Sequence, residues 1–69
     1  MRGPSYRLEE LEECVLMALS AYGVTKAELA RSIGWSRYRL DKELIKLDEF
    51  MADYLVYCIK IEACRKRSA

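Results

Sequence analysis

Positive charge is unevenly distributed along this chain, and its location is the first feature with chemical consequences. Residues 24–47 contain six Lys and Arg against three Asp and Glu, whereas residues 1–23 contain two against four. The formal net charge of the whole chain is only +1. Binding to phosphate groups requires a local basic face rather than a high overall charge. The middle third of the chain is therefore the candidate binding segment.

Residue types needed for other chemistry are sparse or badly spaced. The chain has no His, and Cys14, Cys58 and Cys64 form no Cys-x-x-Cys pair, although a structural zinc site needs four such ligands. No Gly-rich phosphate loop and no carboxylate pair beside a nucleophile are present. We therefore expect no metal site, no cofactor, no small-molecule substrate and no enzymatic activity.

The cysteines and the hydropathy pattern also bear on location. An odd number of cysteines with no secretory segment predicts reduced thiols in a cytoplasmic protein, with Cys14 and Cys58 buried. No stretch approaches the roughly 18 apolar residues that span a bilayer, so we expect no membrane partner.

Two helices are predicted before the basic segment ends, each followed by a glycine. The first covers residues 6–22, where apolar residues recur at three- and four-residue steps. The second covers residues 25–33 and begins with the capping box Thr25-Lys26-Ala27-Glu28. Gly23 and Gly34 supply the left-handed backbone that ends a helix.

A third helix, residues 36–47, follows Gly34 almost at once, with Ser36 as its N-cap. Residues 25–47 resemble the helix-turn-helix of bacterial and archaeal transcription regulators, especially the winged-helix superfamily. The resemblance depends on Ala30, Gly34 and Leu40. In that pattern a small residue lets the third helix cross closely, a glycine makes the turn, and an apolar residue fills the gap between the helices.

The resemblance implies that residues 36–46 form a recognition helix for double-stranded DNA. Arg37 and Arg39 would contact base edges, since arginine forms two hydrogen bonds to guanine. Lys26, Arg31 and Ser36 suit phosphate contacts at the rim, and Lys46 should also meet a phosphate. The predicted DNA-binding residues are Lys26, Arg31, Ser36, Arg37, Tyr38, Arg39, Lys42 and Lys46. Trp35, in the turn, is expected to pack on the core.

The C-terminal segment, residues 48–65, departs from the winged-helix pattern. A wing is a two-stranded hairpin, yet residues 48–64 contain no Gly, Pro or Asn for its turn. The composition of residues 54–61 is nevertheless strand-like. Apolar residues spaced by fours and threes favour a continuous or nearly continuous helix: Leu40, Leu44, Leu47, Met51, Tyr54, Cys58 and Ile61.

The predicted fold is therefore a single mainly or entirely α domain, residues 1–69: a three-helix helix-turn-helix core followed by a long C-terminal helix. The alternative is a winged helix with a short C-terminal strand or hairpin. A chain of 69 residues buries little surface by itself, and residues 48–65 are too apolar for a free face. We expect a homodimer through Phe50, Met51, Tyr54, Leu55, Cys58 and Ile61.

Two functions are consistent with these patterns. The first is a sequence-specific regulator of transcription that binds double-stranded DNA as a homodimer, with its recognition helices about 34 Å apart. The second is a helical protein–protein interaction module that does not bind DNA and uses the acidic first helix and the apolar C-terminal segment, since fold does not fix function.

Overall fold

The computed structural model describes residues 8–68, and the side chains of residues 10–68. This part of the chain forms four helices and no strand: α1 (Leu8–Tyr22), α2 (Lys26–Ser32), α3 (Arg37–Leu44) and α4 (Glu49–Ser68). The all-helical expectation is thus confirmed, and the alternative of a C-terminal strand or hairpin has no support. The predicted start of the first helix, at residue 6, lies outside the described residues.

Both predicted glycine helix ends are confirmed. Gly23 and Gly34 have φ angles of +69° and +77°. After α2, the N–H of Trp35 reaches back to the carbonyl of Ala30 at 2.8 Å, which closes the helix end around Gly34. A Cβ added at either glycine would meet nothing within 4 Å, so the backbone angle, not space, requires glycine here.

The core draws on all four helices. α4 packs against α1 and α2, and α3 packs on α2. The buried side chains are Leu11, Val15, Leu19, Val24, Leu29, Ala30, Leu40, Leu44, Leu47, Ala52, Leu55, Ile59 and Ala63, and no polar or charged side chain among the described residues is buried with them. The sides of α3 and α4 that face away from this core are left to solvent.

The C-terminal segment is helical, as favoured, but it does not form one continuous helix with α3. α3 ends at Leu44, and α4 begins at Glu49. The carboxylate of Asp48 accepts a hydrogen bond from the N–H of Met51 at 2.8 Å, which caps the new helix. Because the chain turns here, the apolar spacing that spans the turn does not mark one helix face. The core-facing side of α4 carries Leu55 and Ile59 instead.

The cysteine prediction fails in part. Cys14 is exposed, Cys58 is half-buried, and all three thiols, including the exposed Cys64, are free. Cys14 directly precedes the fully buried Val15 on α1, so it is rotated by about 100° away from the core. Among the described residues, no helix is both long enough and apolar enough to cross a membrane.

Candidate nucleic-acid interface

The start of α2 is fixed by the predicted capping box. The hydroxyl of Thr25 accepts the N–H of Glu28 at 3.1 Å, and the carboxylate of Glu28 accepts the N–H of Thr25 at 3.0 Å. Each residue thereby satisfies a backbone donor that the first turn would leave free. Lys26, the first residue of α2, is placed beside α3 by this rigid start.

The start of α3 is fixed in the same way. The hydroxyl of Ser36 accepts the N–H of Arg39 at 3.0 Å, which confirms the predicted N-cap. Leu40 and Leu44 are buried and anchor the inner side of the helix. Arg37, Tyr38 and Arg39 therefore occupy the first turn of α3, with their side chains exposed.

One group of charges joins α2 to the exposed side of α3. The carboxylate of Asp41 lies 3.6 Å from the ammonium of Lys26 and 3.7 Å from the guanidinium of Arg37. All three side chains are about a third exposed or more. Such surface pairs contribute roughly 0–1 kcal/mol, so they position the two cations without holding them firmly.

A second group lies on the other flank of α3. The guanidinium of Arg39 stacks over the ring of Trp35 at 4.6 Å from its centroid and lies 4.0 Å from the carboxylate of Glu43. Trp35 is half-buried against the core, as expected. The stacked ring gives Arg39 a defined direction, since guanidinium groups favour the face of tryptophan.

The most exposed part of α3 carries Tyr38 and Lys42. Tyr38 is 70% exposed, and the ammonium of Lys42 lies 5.3 Å from the centre of its ring. Ile45, just after the helix, is also largely exposed, a feature that the sequence pattern did not single out. The outer surface of α3 therefore combines four side-chain types: guanidinium, ammonium, phenol and a branched apolar group.

Two other predicted DNA-binding residues, Arg31 and Lys46, take part in none of the contacts described above. Arg31 is exposed in the last turn of α2. Lys46 is also exposed, but it follows the end of α3 at Leu44. The predicted end of this helix, at residue 46 or 47, is therefore two or three residues too late. Neither forms an ion pair with any residue from 10 to 68.

The predicted dimerisation residues divide into exposed and buried ones. Phe50 is 87% exposed, and Tyr54 and Ile61 are also exposed, while Met51 and Cys58 are half-buried. Leu55 was wrongly included, since it is 0% exposed and packs inside the subunit.

Tyr57 was not among the predicted dimerisation residues, yet it is 61% exposed on the same side of α4 as Phe50. The expected seam was aligned on Leu40, Leu44 and Leu47, which α4 does not continue, so it did not identify which side of α4 faces the core. Beside this face, the thiol of Cys58 raises the pKa of the Tyr54 hydroxyl through a hydrogen bond.

Part of the basic C-terminal end contacts other helices of the subunit. The ammonium of Lys66 donates to the carbonyl of Gly23 at 2.6 Å and to the carboxylate of Glu28 at 3.0 Å. The backbone N–H of Thr25, and then Lys66, hold the pKa of Glu28 below its ordinary value. Lys66 therefore links α4 to the junction of α1 and α2 rather than extending the basic surface.

Among the described residues, no cluster of three or more His, Cys, Asp or Glu side chains could hold a metal ion. The side chains at this surface supply ionic contacts, hydrogen bonds and stacking. No protein-family model matches this chain, and neither the curated proteins nor the solved structures contain a match to it.

Proposed function

We propose that this chain binds double-stranded DNA through α2, the glycine turn and α3, and that it regulates transcription as a homodimer. One observation carries the proposal: Lys26, Arg37, Arg39 and Lys42 surround the exposed side of two capped helices joined by a tight turn. The resemblance of residues 25–47 to helix-turn-helix regulators gives independent support.

The first turn of α3 is the part that enters the major groove in this mode of binding. The groove is about 12 Å wide and accepts one helix. Arg37 and Arg39 are then in position to donate two hydrogen bonds each to guanine O6 and N7. Lys26, at the start of α2, meets a phosphate at the edge of the groove, and Ser36 and Arg31 add rim contacts.

The existing charge pairs do not oppose this role. Arg37 and Lys26 share Asp41, and Arg39 is paired with Glu43, all at separations of 3.6–4.0 Å and all partly exposed. Since each surface pair is worth about 0–1 kcal/mol, exchanging a carboxylate for a phosphate or a base edge costs little.

The experiment begins with selection of preferred duplexes from a random pool. Binding of Arg37→Ala and Arg39→Ala is then measured on the preferred site and on a scrambled duplex. Each change is expected to weaken binding to the preferred site by about 1–3 kcal/mol and to reduce the sequence preference at one base pair. Lys26→Ala and Lys46→Ala should weaken binding to both duplexes alike, because phosphate contacts carry no sequence information.

Arg37→Lys is the matched control for Arg37→Ala. It keeps the charge but loses the planar fork, so it should retain affinity for the scrambled duplex and lose preference. If neither arginine change alters affinity or preference, α3 does not read DNA.

The exposed apolar side of α4 favours one other function, the protein–protein interaction module. That function requires no duplex binding, and its interactions would depend on α4 and not on Arg37 or Arg39. The same binding series therefore separates the two.

A further inference from the structure

We propose that α4 pairs with α4 of a second copy of this chain in antiparallel orientation, in a register fixed by Asp53 and Lys60. The inference rests on the homodimer of the proposed function but not on DNA binding.

The contact surface is a stripe formed by Phe50, Tyr54, Tyr57 and Ile61, hereafter the apolar stripe. All four side chains are exposed, and their spacing of four, three and four residues places them on one side of α4. The core-facing residues, such as Leu55 and Ile59, lie on the opposite side. A groove of about 630 Å³ runs along the stripe from Asp48 to Tyr57. The stripe can therefore be covered without disturbing the subunit's own core.

The spacing of the apolar stripe specifies what kind of partner fits it. Alternating steps of three and four residues produce the seam of a coiled coil, in which side chains of one helix fit between those of another. The stripe spans about three turns of the 20-residue α4. A second α4 has the same length and spacing, so its apolar side chains can fit between those of the first.

The flanking charges determine the relative direction of the two helices. Asp53 and Lys60 lie on the same flank of the stripe, seven residues and so about 10.5 Å apart, too far to pair within one helix. Neither forms an ion pair within residues 10–68. Antiparallel pairing that sets Phe50 against Ile61 of the second copy, and Tyr54 against its Tyr57, brings Asp53 near Lys60 of the second copy, twice by symmetry.

The parallel arrangement has the opposite electrostatics. In a parallel coiled coil, a residue on one flank of the first helix faces the residue five positions later on the opposite flank of the second helix. Lys60 of one copy would therefore lie near Arg65 of the other. The parallel arrangement also sets the two basic ends, residues 65–67, side by side. Like charges at close range destabilise pairing, so charge complementarity selects the antiparallel dimer.

The first test is a charge-exchange series measured by sedimentation equilibrium without DNA. Asp53→Lys and Lys60→Asp should each raise the dimer dissociation constant about tenfold, since two attractive pairs become repulsive. The double variant Asp53→Lys/Lys60→Asp should restore dimerisation. Both positions are exposed, so the fold is retained, as circular dichroism would verify. A tighter Lys60→Asp dimer, or a double variant no better than the singles, would overturn the antiparallel register.

A second test uses thiol crosslinking on the other flank, where Met51 faces Cys58 of the second copy. Met51→Cys oxidised with diamide should form a disulfide-linked dimer, and Met51→Cys/Cys58→Ser should not. The wild type reports the parallel alternative, because only a parallel pair brings Cys64 against Cys64 of the second copy. A Cys64-linked wild-type dimer, or a strictly monomeric wild type at tens of micromolar, would contradict the proposal. Loss of DNA binding with an intact dimer would contradict only the proposed function.

Discussion

α3 and α4 present opposite kinds of surface to solvent. The exposed side of α3 carries arginine and lysine side chains that are already paired with carboxylates and aromatic rings. The exposed side of α4 carries the apolar stripe, which has no partner among the described residues of the subunit.

The difference indicates two kinds of binding. Charged groups on α3 can exchange one ionic partner for another with little change in free energy. Such groups suit a polyanion, which offers many equivalent phosphate groups along its length. Burial of an apolar stripe stabilises a complex only when the covering surface fits the stripe in shape. Such a stripe suits one fixed protein partner. The two proposed kinds of contact would thus lie on separate helices of one small domain.

The largest effect is expected from a comparison of one substitution on the core side of α4 with one on its exposed side. Leu55→Ala should lower the free energy of unfolding by about 2–5 kcal/mol, because it opens a cavity in the core. Phe50→Ala should change the stability of the monomer by no more than about 0.5 kcal/mol and instead weaken dimerisation by more than about 1 kcal/mol. Urea unfolding of dilute protein, together with sedimentation equilibrium, measures both. Equal losses of stability in the two variants would show that the sides are not distinct.

A smaller effect is expected from removing the acidic group between the cations of α3. Asp41→Asn releases both Lys26 and Arg37 and removes a negative charge from the proposed DNA surface. Duplex affinity should rise about two- to fivefold, the scale of a surface ion pair. Glu13→Gln is the control, since it removes an equal charge from the exposed side of α1, which has no part in that surface. Weaker DNA binding by Asp41→Asn would instead assign this carboxylate a direct contact with a base.

The smallest effect concerns pH. The N–H of Thr25 and the ammonium of Lys66 lower the pKa of Glu28 below its ordinary value of 4.5, so its charged form is favoured in the folded state. Its contribution to stability is therefore present above about pH 4.5 and is lost as the pH falls through the lowered value. Glu28→Gln should reduce the midpoint of thermal unfolding slightly at pH 7 and by less at pH 3. An equal reduction at both pH values would mean that charge is not involved.

Local signals in the sequence predicted much of the fold. The capping box at Thr25, the N-cap at Ser36 and the two turn glycines depend on neighbouring residues only, and all are present. The Asp48 cap was an equally local signal, but the apolar spacing across it pointed to a continuous helix. The side of α4 that packs on α1 and α2 depends on contacts between helices, so the sequence did not separate the buried Leu55 from the exposed residues of α4.

Long-range contacts could not be predicted in this way. Lys66 meets Gly23 and Glu28 across 43 and 38 residues of sequence, and no spacing rule connects them. The pairing of Lys26 with Asp41 likewise depends on how α2 crosses α3. The cations of the candidate interface were identifiable by type and position, but their carboxylate and aromatic partners became evident only from the packed helices.

The most direct test of the central claim is the salt dependence of duplex binding by the wild-type protein. If each subunit of a dimer neutralises roughly three phosphates, the slope of log affinity against log salt concentration is near −5. Affinity should then fall on the order of a thousandfold between roughly 50 and 200 mM salt. A slope near zero, or no duplex binding at the lower salt concentration, would contradict the claim that the α2–α3 surface binds DNA.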